Sequence, residues 1–152
     1  MEKQISMLDN RTDKATKEML NNVVKRKKKF DEAKLKHYAS ITALLGVTAM
    51  YLAYLYFSIV VPYSYSFYAM FSSFVGNSLN FFFFVLTGSL YGLMILLKQQ
   101  SDKKEKEYHE LRCEIVDRSK DLWKKEEEWK SRHIVFEMMK KEYDINLYHE
   151  KK

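Results

Sequence analysis

At 152 residues, with a net charge of +6 and one cysteine, the chain excludes an intramolecular disulfide, and Cys113 suits a reducing compartment. One proline and four glycines leave long helices as the default. The charge is segregated: His37 to Leu97 are 61 consecutive residues without Asp, Glu, Lys or Arg between two charged flanks. That pattern argues strongly for a small integral membrane protein, since a soluble domain interleaves polar and apolar residues along each helix.

Residues 1–37 read as a basic helical arm. Met19, Val23, Phe30 and Ala33 recur at helical spacing, with Thr12 or Asp13 as the start. The residues before that start are expected to fray. The block Lys25, Arg26, Lys27, Lys28 and Lys29 could be a nuclear import or nucleic-acid patch. Its place just upstream of an apolar run favours a topological signal that attracts anionic lipid headgroups and binds no nucleic acid. The arm is too long and too acidic for a signal peptide, and no small-residue cleavage signature follows the run, so the first span is expected to be retained.

A membrane crossing takes about 20 apolar residues. The predicted first transmembrane helix is 38–61, stopping at Pro62. Residues 62–73 are uncharged and rich in Tyr and Phe, which predicts a short turn at the outer membrane interface; a re-entrant segment is the alternative. The second predicted transmembrane helix is 74–97, which contains Phe81-Phe82-Phe83-Phe84. Lys and Arg crowd the far ends of both spans and are missing from the connection, so both termini are expected in the cytoplasm of a multi-pass cell-membrane protein. Inside the spans no acid or base is present, which argues against an ion-coupled carrier. The intramembrane polar residues are mild, with Asn77 and Asn80 expected to cap or face the interface. Gly88 and Gly92, four apart, permit close helix packing, either against the stripe Ala39, Ala43, Gly46, Ala49 and Ala53 of the first span or against a second copy.

Residues 98–152 form the second cytoplasmic arm. Tyr108, Ile115, Leu122, Trp129, Phe136 and Tyr143 recur every seven residues, but Arg118, Lys125 and Arg132 interrupt the second seam position. This predicts one long amphipathic helix over 98–143, supported by the pairs Glu114–Arg118, Asp121–Lys125 and Glu128–Arg132, with a frayed end after Asp144. Tyr108, Ile115, Leu122, Trp129 and Phe136 are the candidate partner-binding stripe. The stripes of the two arms can also pair as an antiparallel stalk, setting Phe30 and Leu35 against Tyr108 and Leu111. Trp123 and Trp129 line the stripe, anchor a partner or dip into the membrane surface.

Chemistry-bearing motifs are sparse. His109-Glu110-Leu111-Arg112-Cys113 resembles the start of a metalloprotease helix with cysteine in place of the second histidine, and no further ligand pair lies near. There is no phosphate loop, nucleophile elbow or CxxC, and Glu126-Glu127-Glu128 reads as a solvated face. No enzyme, cofactor or metal site is expected.

The string HELRCEIVDRSKDLWKK (His109–Lys125), with Trp129, Arg132-His133, Val135–Lys140, Asp144–His149, Ala15–Met19 and Pro62–Ser66, resembles the YpbF family of Bacillus-type bacteria. The resemblance covers nearly the whole chain and implies a two-span bacterial membrane protein of unknown function, without catalytic residues to transfer. The expected fold is an all-α membrane protein, a two-helix transmembrane hairpin with long cytoplasmic helical arms. Its expected role is structural or regulatory, presenting the arms to an unidentified protein partner or to itself. The rival is a homo-oligomeric pore of holin or effector type, lined by Thr87, Gly88, Ser89 and Gly92.

Overall fold

The computed structural model describes residues 2–8, 12–124 and 126–148, and every regular element among them is helical. In order these are α1 (Lys3–Ser6), α2 (Lys14–Leu55), a π-helical turn (Tyr56–Val60), α3 (Val61–Tyr63), α4 (Phe67–Gly76), α5 (Ser78–Asp117), α6 (Ser119–Leu122) and α7 (Glu126–Tyr143). The chain divides into a terminal unit, Met1–Glu32 with Ser101–Lys152, and an apolar unit, Ala33–Gln100.

In the terminal unit, α2 starts where its cap requires. The Asp13 carboxylate accepts from Lys14 N–H at 2.7 Å, and its carbonyl accepts the first helical bond from Lys17 at 3.0 Å. Leu20, Val23 and Val24 then place one apolar face on a core completed by Ile115, Val135, Phe136 and Met139. Ile5 of α1 is fully buried there, so α1 is docked rather than frayed. Phe30 stacks on Tyr108, with ring centroids 6.2 Å apart. Leu35 does not join them, being 70% exposed.

The second arm is not one helix. It breaks at Arg118 and again at Trp123, whose backbone leaves the helical region (φ −123°, ψ 68°). A straight helix would leave Phe136 and Met139 in water. Burying a side chain of that size contributes about 1.5–3 kcal/mol. The break costs little by comparison, because Arg118 N–H still reaches Glu114 O and Trp123 N–H reaches Ser119 O. The C-terminal segment is also docked: Ile145 and Leu147 are fully buried, and Arg112 Nη1 donates to Asn146 O at 3.3 Å. His149, Lys125 and the side chain of Glu127 lie outside the described residues, and with them the Asp121–Lys125 pair.

In the apolar unit the first long helical run ends at Tyr63, one residue past Pro62. The widened turn Tyr56–Val60 precedes the proline, and the helix continues through Pro62 to Tyr63. The true turn is confined to residues 64–66. What was expected as an aromatic turn over 62–73 is largely α4, capped by Ser66, whose Oγ accepts from Ala69 N–H at 3.4 Å. The second long helix starts at Ser78, not at residue 74, because Asn77 is extended (φ −107°, ψ 110°).

Candidate interaction surfaces

The five residues of the basic block divide into two groups. Arg26 Nη1 donates to Glu107 O at 2.8 Å, and Lys28 pairs with Glu2 at 2.8 Å. Lys27 pairs with Asp31 at 3.0 Å and lies over the rings of Phe30 and Tyr108. These three serve the terminal unit itself. Lys25 and Lys29, one turn apart, are exposed. The Lys28 hydrogen bond holds the Glu2 carboxyl below its ordinary value, and the same bond raises Lys28.

The seven-residue stripe has also found partners within the unit. Tyr108, Ile115 and Phe136 are buried, whereas Leu122 and Trp129 are only half-buried. Burial raises the Tyr108 phenol above 10.0, with nearby Arg112 opposing. Trp123, which sequence periodicity placed beside the stripe, is 1% exposed and meets Phe136 edge-on at 5.5 Å. What remains at the surface is Trp129, capped by the Arg132 guanidinium at 3.5 Å from the ring centroid, with Leu122. Glu114 and Arg118 pair at 3.2 Å as their spacing predicts. Glu128, expected on a solvated face, is buried.

Among the described residues no three His, Cys, Asp or Glu are grouped to hold a metal ion. His109 lies 3.7 Å from Glu105 and beside Tyr108, and Cys113 is half-buried.

The apolar unit distributes its residues differently from the stripes read in the sequence. A side chain added at Gly88, Gly92 or Gly46 would meet nothing within 4 Å. Ala39, Ala43, Ala49 and Ala53 are exposed as well. The small residues of the two helices therefore face away from the contact inside the chain. That contact is aromatic and polar instead. Tyr51 stacks on Phe83 at 5.5 Å, Tyr54 Oη accepts from Asn77 Nδ2 at 2.9 Å, and Tyr51 Oη donates to Asn80 O at 3.3 Å. Asn77 does cap: its Oδ1 accepts from Leu79 N–H at 3.0 Å. Asn80, by contrast, is fully buried, with Nδ2 on Phe74 O at 2.8 Å. The signal was an Asn-x-x-Asn spacing inside an apolar run, where two amides indicate backbone groups in need of partners. The hydroxyls of Thr42, Thr87 and Ser89 donate to carbonyls one turn back in their own helices.

A family model described as "Protein of unknown function (DUF2663)" matches residues 19–150. The chain is 34% identical over 156 residues to the uncharacterized protein YpbF of Bacillus subtilis (strain 168), covering all of both sequences. No solved structure matches.

Proposed function

The chain belongs to the DUF2663 family of proteins of unknown function, and from that premise we propose that it is a two-crossing membrane protein of structural or regulatory type whose polar ends fold into one closed helical unit in the cytoplasm. The observation that carries this reading is the opposite fate of apolar residues in the two units. The terminal unit closes its apolar stripe over a core. The two long apolar helices leave theirs outside: only 11% and 6% of their most apolar windows are buried. Core helices of soluble proteins bury most of that surface, so a bilayer is the solvent that suits these two.

The remaining surface features favour interaction over chemistry. Leu122 and the Arg132-capped Trp129 are the part of the stripe left to a protein partner, a pairing of aromatic and arginine common at binding hot spots. Lys25 and Lys29 are left to anionic headgroups.

The test is sedimentation and topology. The full-length protein should stay with membranes through an alkaline carbonate wash, and tags at both ends should be cut by protease only in opened cells. Release by the wash would overturn the membrane reading. A photo-reactive probe at Trp129 should then yield one discrete heterologous product, lost with Leu122→Glu.

A second reading, self-association towards a pore, is favoured by one observation: the open face around Gly88 and Gly92. It predicts a ladder of self-crosslinks from a probe at Gly92 and collapse of membrane potential on overproduction.

A further inference from the structure

The apolar unit carries two interruptions of regular helix, the π-helical turn Tyr56–Val60 and the break at Asn77. After the turn at 64–66, α4 runs back against the π-helical turn and α3. It ends with Asn77 on Tyr54, and three residues later Asn80 meets Tyr51. Tyr54 is nine residues before Tyr63, so the break lies about 14 Å below the turn at about 1.5 Å per residue. α4 and α5 are thus two pieces of one returning leg, divided at Asn77 within the uncharged stretch. A divided helix leaves backbone groups without their usual partners, and irregular backbone at membrane depth persists only where other groups satisfy it.

Three local bonds meet part of that demand. Asn80 N–H donates to Asn77 O at 3.0 Å, Leu79 N–H donates to Asn77 Oδ1, and Phe74 O accepts from Asn80 Nδ2. A side-chain oxygen in the same cluster lacks a partner. Asn80 Oδ1 is fully buried and has no hydrogen-bond partner. The amide cannot be reversed to remove the problem, because that would set its oxygen against the Phe74 carbonyl. An unmet acceptor is more costly in an apolar layer than in water.

We propose that the break at Asn77 is a hydration site, in which a water molecule donates to Asn80 Oδ1 inside the apolar layer. The site rests on the membrane-spanning reading above. A buried water takes two to four polar partners. The same cluster offers the Tyr51 and Tyr54 hydroxyls, which already meet Asn80 O and Asn77 Nδ2 and whose rings lie against Phe83. Among the described residues this is where the apolar unit gathers side-chain amides and phenols with an unmet acceptor, so water is placed at one level of the returning leg and not along it.

The experiment is water-edited and lipid-edited solid-state NMR on the full-length, isotope-labelled protein in phospholipid bilayers. The expected result is magnetisation transfer from water to the Asn80 side-chain amide and to the Leu79 amide, with acyl-chain contacts alone at outward-facing Phe84. No water transfer at Asn80 while Phe84 still contacts lipid would overturn the hydration site and leave the membrane reading standing. Water at Phe84 as well would overturn the membrane reading and the site with it. In Asn80→Leu the water signal at Leu79 should be lost while Phe84 is unchanged; its persistence would overturn the assignment to Asn80.

Discussion

Asp144 has φ 55°, the left-handed region, and ends α7 there, with its own N–H on Lys140 O and the Ile145 N–H on Met139 O. That conformation costs an L-residue roughly 1–2 kcal/mol, against which glycine returns about 0.5–1 kcal/mol of chain entropy. The Asp144 carboxylate is 94% exposed and 3.9 Å from Lys27, a pair of negligible value. Asp144→Gly should therefore stabilise the terminal unit by about 0.5 kcal/mol, read as a small rise in its thermal midpoint. Phe136→Ala, which removes the ring meeting both Trp123 and Tyr148, should cost about 3–5 kcal/mol in urea unfolding. Tyr108 gives a pH dependence of defined sign. Its folded value is raised, so its contribution is complete below 10.0 and is lost as pH rises through the folded value. Alkaline titration should show helix loss tracking tyrosinate absorbance, and Tyr108→Phe should move the onset of that loss to higher pH.

Among elements, the decisive one is α7, which turns back and uses the face that a straight arm would have displayed. Its docking is completed by the segment after it. Ile145→Ala and Leu147→Ala should each cost about 2–5 kcal/mol, as large core truncations do, and should speed proteolysis of the C-terminal region. No effect from either would mean that the segment is not docked. The spacing Tyr108, Ile115, Leu122, Trp129, Phe136 was legible as an amphipathic stripe. Where the stripe bends was not, because Arg118 and Trp123 carry no proline or glycine signal. The bend arises from the burial gained at long range. The aromatic stretch over residues 62–73 misled for a related reason: Tyr and Phe mark an interface, yet the same residues form a good helix once Ser66 caps it. Nor did the periodicity of glycine and alanine say which face would turn inwards. The two helices instead meet through Tyr51, Tyr54, Asn77 and Asn80, where hydrogen bonds and stacked rings outweigh the close approach that small residues offer.

For the whole molecule, the membrane-spanning reading proposed above has the two units depend on different solvents. Urea should melt the terminal unit of the bilayer-bound protein while the helical signal of the apolar unit persists, giving two steps in circular dichroism; a single concerted loss would contradict the independence of the units. The amino-acid order by itself determined that the chain is helical, that its apolar residues form one block long enough for two crossings, and that no acid–base or nucleophile set is visible in that block, since these follow from composition and period alone. Only the tertiary structure decided that the candidate binding stripe closes largely on the chain's own helices, that three residues of the basic block are engaged within the terminal unit, and that the returning leg is divided at Asn77. Each of those outcomes depends on which distant surface a side chain meets, and burial energy is assigned by contact in space, not by neighbourhood along the chain.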